Sequence, residues 1–216
     1  MKATEKCIRF AYQGKPVTVF NQRCRLWSHA YDYRTPQMAT LSSAGCGVFS
    51  VCHCGQWLTD REFDPDALAD FSMANGGRGD DGTDRPALLA AMMQKGWAEQ
   101  FGFRYEMDGL RNDVDTLWAH LAEKRGIALC NLRVGHIVSL VDCRVENGER
   151  QALVIDSYSE TLDSRITPIV REIVPDSAIV SEEKNENGVT VGFHRQYALY
   201  WAAMNTIRDF NLLHAL

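Results

Sequence analysis

The sequence has no excess of basic residues, no apolar run long enough to cross a membrane and no recognisable leader. It carries 23 Lys and Arg against 28 Asp and Glu, a formal net charge of −5. This balance argues against a general nucleic-acid binder, which needs a basic face. No apolar run approaches ~18 residues, so we expect no contact with a membrane. The first residues contain no apolar export region, which predicts a cytoplasmic protein.

Internal repeats and low-complexity segments are also missing. The chain has 216 residues, of which 45% are hydrophobic and 24% charged, values that fit one ordinary globular domain covering residues 1–216. Seven cysteines are present. In a reducing compartment we expect these thiols to stay free rather than to form a disulfide framework.

The order of the periodic segments indicates the fold class. A hairpin is expected at the start, then mainly helices, then mainly antiparallel strands. This order predicts an α+β fold in which two layers meet at a cleft. The predicted strands are residues 7–12, 17–20, 101–107, 127–132, 136–143, 151–156, 189–193 and 197–203, and the predicted helices are 46–58, 64–74, 84–96, 112–125 and a closing helix at 205–213.

Cys46 has a local context suited to chemistry. It lies between Gly45 and Gly47, where a Gly-rich loop enters a predicted helix with Ser42 or Ser43 as the expected cap. A thiol at a helix N-terminus lies in the positive end of the macrodipole, which favours the thiolate. The same residues also suit a tight turn that merely needs a small side chain.

His136 and Asp156 can be brought together by one hairpin. His136 begins an apolar strand and Asp156 ends the next one, so pairing of the two strands places both residues at the same end. A carboxylate there can orient an imidazole, and cysteine, histidine and acid together form a nucleophile, a base and an orienting group. Taken singly, His136 also suits a structural histidine and Asp156 a turn residue.

Two further segments resemble metal sites, and we interpret neither as one. Cys52 and Cys54 point about 200° apart on a helix and cannot easily chelate one ion. We therefore predict a buried Cys52 and an exposed His53. The segment at 79–84 is rich in aspartate but lacks the spacing of a calcium loop, so we expect a solvated loop over the rim of the cleft. No metal and no cofactor are implied.

A family resemblance links these segments. Residues 20–22 (Phe-Asn-Gln), Trp27 and Tyr33 are followed by the block at 40–47, Thr-Leu-Ser-Ser-Ala-Gly-Cys-Gly. Together with Gly82-Thr83 and the Gly-His start of the strand at 136, they resemble the papain-like cysteine peptidases related to the bacteriocin-processing (double-glycine leader) peptidases. The resemblance covers residues 17–158 and leaves 159–216 as a C-terminal β extension. Val48 and Phe49 depart from the family pattern.

The resemblance implies a papain-like fold, in which the nucleophile helix of an N-terminal helical part packs on an antiparallel sheet. It implies Cys46 as the nucleophile, His136 as the general base and then acid, and Asp156 as the residue that orients His136. Gln22 would donate its side-chain amide to the oxyanion, with Gln37 as a competitor for that role.

The resemblance therefore predicts a cysteine peptidase-like hydrolase that cleaves a peptide or amide bond through a thioester. Two alternatives stay open. An acyltransferase or transpeptidase would use the same residues and resolve the thioester with an amine. A papain-like module without catalysis would only bind a peptide or a partner protein. The sequence does not indicate an oligomeric state.

Overall fold

A computed structural model defines the fold over most of the chain. The described residues are 6–22, 24–32, 39–106, 109–123, 126–133, 136–158, 168–170, 181–184, 186–188, 190–194, 198–207 and 209–216. They form an α+β protein, as the order of periodic segments predicted.

The α-helices of the described residues lie between an N-terminal hairpin and a C-terminal block of strands. They are α1 (Leu41–Ala44), α2 (Cys46–Thr59), α3 (Pro65–Ala74), α4 (Arg85–Gln94), α5 (Trp97–Gln100) and α6 (Val114–Ala122), and a 3₁₀ turn at Met204–Thr206 lies within the block of strands.

Strands occupy most of the remaining described chain. They are β1 (Cys7–Tyr12), β2 (Lys15–Phe20), β3 (Arg78–Gly79), β4 (Gly82–Thr83), β5 (Phe103–Arg104), β6 (Ile127–Arg133), β7 (His136–Glu146), β8 (Glu149–Asp156), β9 (Pro168–Val170), β10 (Ser181–Lys184), β11 (Thr190–His194), β12 (Ala198–Ala203) and β13 (Phe210–Ala215).

The main sheet is antiparallel throughout its described part. Its strand order is β5-β13-β6-β7-β8-β12-β9, while β1-β2, β3-β4 and β10-β11 form separate two-stranded ribbons. Strands β7 and β8 form the central hairpin, in which Ser139 pairs with Ile155 and Leu140 with Val154. Buried side chains cover both faces of this sheet, because helix α2 packs on one face and α6 on the other.

The N-terminal hairpin matches its prediction closely. Strand β1 has the predicted bounds, and β2 begins two residues earlier than expected, at Lys15. The turn residues Gln13 and Gly14 have φ values of 51° and 80°. Positive φ at both central residues is the feature of a tight two-residue turn, which is why the strands pair up to Lys15.

Helix α2 is enclosed on all sides. Every residue from Cys46 to Leu58 is buried, since the β1-β2 hairpin, α3, the β3-β4 ribbon and the main sheet surround the helix. The prediction that His53 is exposed is therefore wrong: its side chain is fully buried. The helix begins at Cys46 as predicted, but its N-cap differs from the expected Ser42 or Ser43. Its N-cap is Gly45, because Ser42 and Ser43 belong to the short preceding helix α1.

The caps predicted for the next helices agree with the structure. Asp64 accepts a hydrogen bond from the backbone of Asp66 at the start of α3, and Asp84 accepts one from Ala87 at the start of α4. An aspartate cap followed by proline in the first turn is a strong start signal. By contrast, the strand expected at 101–107 shrinks to the two residues of β5.

The closing helix predicted at 205–213 is wrong. The chain forms a short 3₁₀ turn at Met204–Thr206 and then strand β13, which pairs with β6 on one side and β5 on the other. Phe210 to Leu213 are all buried. A short continuous apolar run fits a buried helix and a buried strand equally well, so only the partner strands decide between them.

Membrane insertion by a helix finds no support in the described residues. None of their helices is both long and apolar enough to span a membrane.

Helix α2 and strand β7 are joined by two buried hydrogen bonds. The Ser50 hydroxyl donates to the Ile137 carbonyl oxygen at 2.9 Å, and the Ser139 hydroxyl donates to the Ser50 carbonyl oxygen at 2.8 Å. Both serines are fully buried. The two bonds fix the position of the helix start relative to the start of β7.

We expect Ser139→Ala to lower the free energy of unfolding by about 1–2 kcal/mol, because it removes a buried hydrogen bond. Urea denaturation measures the change. Ser28→Ala is the matched control, since Ser28 is exposed and its loss should alter stability by less than about 0.5 kcal/mol. Equal stability of the two variants would contradict a role for the α2-β7 bonds.

Candidate active site

Cys46 is the first residue of α2 and is buried, with 2% of its surface exposed. The first backbone N–H groups of a helix have no partner within the helix, so they and the helix dipole point at the space around the thiol. This environment suits a thiolate and can donate hydrogen bonds to a developing oxyanion.

Close packing holds the β3-β4 ribbon against this helix start. A side chain at Gly47 would collide with Thr83, so glycine is needed for the contact. Thr83 is itself fixed, because its hydroxyl is hydrogen-bonded to that of Tyr31 at 2.9 Å, and the Tyr31 hydroxyl also contacts Ser72 at 2.9 Å. The Gly82-Thr83 pair found in the sequence thus forms one wall beside Cys46.

His136 lies beside Cys46 and is also buried. It begins β7, where it pairs with Arg133 of β6, and its imidazole is hydrogen-bonded to Cys46. Its Nε2 atom lies 2.9 Å from Asp156 Oδ1. With Nε2 directed at the carboxylate, Nδ1 is the ring nitrogen available to the thiol.

Asp156 is fully buried at the end of β8. Besides His136, its Oδ1 accepts a hydrogen bond from the Tyr158 backbone N–H at 2.7 Å, and its Oδ2 accepts one from the Tyr200 hydroxyl at 3.1 Å. Donors around a buried carboxylate compensate for its lost hydration. The carboxylate is therefore held in one orientation beneath the imidazole.

The charge balance around His136 favours its protonated form. Burial by itself lowers the pKa of His136, but the adjacent Asp156 carboxylate and the hydrogen bonds to Asp156 and Cys46 outweigh burial and raise the pKa to about 10. At neutral pH the imidazole thus carries a proton beside the sulfur. A protonated histidine stabilises a thiolate and can later protonate a leaving group.

Gln22 lies on the Asp156 side of this group. Its backbone N–H donates to the Ser157 carbonyl oxygen at 3.1 Å, and its side-chain Oε1 accepts from the Ser157 hydroxyl at 3.0 Å. Gln22 is 4% exposed. Because Oε1 is engaged by Ser157, the amide nitrogen is the end of the side chain that remains for another acceptor. Gln37, its competitor, lies outside the described residues.

A cavity of about 210 Å³ is lined by neighbours of the site residues, although Cys46 and His136 themselves do not line it. The β3-β4 ribbon and the start of α4 form one side, with Asp81 and Thr83, and the sheet residues Asn131 and Ile137 form the other. Ile137 follows His136 directly, and Thr83 contacts the helix start that carries Cys46. The segment expected to be a solvated loop forms the β3-β4 ribbon instead, and its turn lines this cavity with Asp81 exposed.

The segment Cys52-His53-Cys54 lies inside α2, and all three residues are buried. His53 Nε2 accepts a hydrogen bond from the Phe20 backbone N–H at 3.0 Å, and burial lowers the pKa of His53 to about 3. Burial also raises the pKa of Cys54 to about 12 and that of Cys52 well above its ordinary value. These groups are neutral parts of the core.

Three residues around the site were missed by sequence reasoning. Ser157 and Tyr158 directly follow Asp156, so their position offered a signal, and they bind Gln22 and Asp156 respectively. The sequence contains no local signal that Tyr200 belongs to the site. This tyrosine reaches Asp156, 44 residues away in sequence, because β12 pairs with β8 and Tyr200 lies opposite Val154.

No family model matches the chain, and no curated protein is detectably similar to it.

The raised pKa of His136 makes the stability of the site dependent on pH. The ordinary pKa is 6.5 and the folded value about 10, so the interaction stabilises the fold fully below about pH 6.5, and this contribution is lost as the pH rises through about 10. We expect the imidazole signals of His136 in an NMR titration to stay those of a protonated ring at pH 8.

Asp156→Asn should lower the pH at which His136 titrates. The substitution removes the negative charge that raises the pKa of His136, and it leaves burial, which lowers that pKa. Asp142→Asn is the control, since Asp142 is a half-buried carboxylate elsewhere on β7. A wild-type His136 that loses its proton below pH 7, or an unchanged titration in Asp156→Asn, would contradict the ion-pair assignment.

Proposed function

We propose that the protein is a papain-like cysteine hydrolase that cleaves a peptide or related amide bond. The observation that carries the proposal is the continuous contact from Cys46 at the start of α2 to His136 and on to the buried Asp156. A nucleophile, a proton-transfer group and an orienting acid in this order define acyl-transfer sites on several unrelated folds.

The architecture supports the papain-like part of the proposal. A buried helix presents its N-terminal cysteine to the start of an antiparallel strand that carries the histidine. The cavity lined by Thr83 and Ile137 is one residue along the chain from His136 and next to the ribbon that contacts the helix start at Gly47, and we propose that a peptide reaches the reacting pair from it.

The proposed reaction starts from the thiolate of Cys46 and the imidazolium of His136. The sulfur attacks the substrate carbonyl carbon, and negative charge moves to the carbonyl oxygen. The Cys46 backbone N–H and the Gln22 amide would donate to that oxygen. When the C–N bond breaks, the leaving amine takes the proton of His136, and a thioester to Cys46 remains.

Water completes the cycle. The now neutral His136 accepts a proton from the water molecule that attacks the thioester, and Cys46 departs as the thiolate. Asp156 keeps the imidazole in the orientation needed for both proton transfers, and Tyr200 and Tyr158 hold the carboxylate in place. The residues return to their starting protonation states, so the cycle balances.

We expect Cys46 to react with iodoacetamide faster than the other cysteines at neutral pH. Burial raises the pKa of Cys52 and Cys54, and it raises that of Cys143 to about 11, which keeps those thiols protonated. Peptide mapping after brief alkylation measures the order of modification. If Cys46 were no more reactive than the half-buried Cys7, its assignment as the nucleophile would fail.

Activity should be sought with a peptide library, using Cys46→Ala as the inactive form and Cys7→Ala as a matched control that keeps full turnover. Adding amine acceptors to the same assay separates hydrolysis from acyl transfer by the product formed. Hydrolysis by Cys46→Ala at the wild-type rate would overturn the proposed mechanism.

For Gln22→Ala we expect a fall in kcat of about 10²–10³, because one oxyanion donor is lost. Steady-state kinetics measures it, and thermal denaturation checks that the variant is folded. Ser157→Ala should give a smaller loss, since it frees the Gln22 side chain without removing it. An unchanged kcat in Gln22→Ala with a large loss in Gln37→Ala would assign the role to Gln37.

A further inference from the structure

Three potential metal ligands meet where α6 and β13 come together. His120 lies in the last turn of α6, Glu123 follows it by one helical turn at the C-cap, and His214 lies in β13. Each offers one ligand atom, and these atoms all lie within 4.8 Å of one another. The proposed hydrolase mechanism uses none of them.

His120 is held in the manner of a metal-binding histidine. It is 4% exposed, and its Nε2 lies 2.8 Å from the Ile127 carbonyl oxygen and 2.9 Å from that of Leu213. Carbonyl oxygens only accept, so Nε2 carries the proton and the lone pair of the neutral ring is on Nδ1. Histidine ligands commonly donate their second N–H to a backbone carbonyl in this way.

Packing also fixes the ring of His120 in place. A side chain at Gly126 would collide with the His120 backbone, and glycine therefore allows the chain after α6 to close tightly over this residue.

The side chains of the other two candidate ligands, His214 and Glu123, can change conformation. The His214 ring stands edge-on to that of His120, with the ring centroids 4.7 Å apart and an interplanar angle of 85°. Its side chain is 23% exposed, and its Nε2 lies 3.7 Å from the carboxylate of Glu106. Glu123 is exposed. Ligand atoms of a tetrahedral zinc ion are about 3.3 Å apart, a contraction that an exposed glutamate and a partly exposed histidine allow.

We propose that His120, Glu123 and His214 bind a divalent transition-metal ion of the zinc class, with the fourth position left to water. Two imidazoles and one carboxylate favour such an ion over Mg²⁺ or Ca²⁺, which prefer oxygen ligands. The site joins α6 to β13 across the face of the sheet, and it is independent of the proposed hydrolase activity.

The test is a titration with Co²⁺, whose visible spectrum reports its ligands. It is done on the full chain carrying Cys46→Ala, so that the reactive thiol cannot bind the ion. We expect one equivalent of Co²⁺ to bind with the spectrum of nitrogen and oxygen ligands and without a thiolate charge-transfer band. Calorimetry with Zn²⁺ gives the affinity, which should fall about 100-fold or more when His214→Ala is added.

Matched controls separate this site from general surface binding. His29→Ala removes a partly exposed histidine paired with Asp70, and Glu99→Gln removes an exposed glutamate; neither should change the affinity. Glu123→Gln should also weaken binding. Because Glu123 is exposed, this variant should fold even if His214→Ala does not, and the test then rests on it. Three results would overturn the proposal: no stoichiometric binding, a spectrum with a thiolate charge-transfer band, or an unchanged affinity in Glu123→Gln.

Discussion

Helix α2 can place a reactive residue only because it is held rigidly against β7. The Ser50 and Ser139 hydroxyls each donate to a backbone carbonyl of the opposite element, and the helix is buried from Cys46 to Leu58. A closely packed protein interior resists small changes in the relative positions of its elements. The distance between the helix start at Cys46 and the strand start at His136 is therefore set by the core, not by the loops that connect them.

The buried carboxylate of Asp156 is the second constraint. An unpaired charge at a fully buried position would cost several kcal/mol, and the fold offsets this with donors from His136, Tyr158 and Tyr200. The same carboxylate raises the pKa of His136. One ion pair thus determines both the orientation of the imidazole and its charge, the two properties that an acyl-transfer site would require.

The sequence predicted the local parts of this arrangement well. The caps Asp64 and Asp84 and the two central strands at 136 and 151 were read from short-range signals, because a cap or a turn depends on residues a few positions apart. The prediction failed for the last apolar run, which became β13 instead of a helix. It also failed for His53, since no local pattern reveals that a helix is covered on every side.

By itself, the sequence determined the fold class, the position of Cys46 at a helix start and the joining of His136 to Asp156 by one hairpin. Their use as catalytic residues stays a prediction. Only the tertiary structure decided which distant groups complete each cluster: Tyr200 beside Asp156, and His214 beside His120. The physical reason is that strand pairing and core packing set the contacts between segments many residues apart. A short stretch of sequence does not specify either of them.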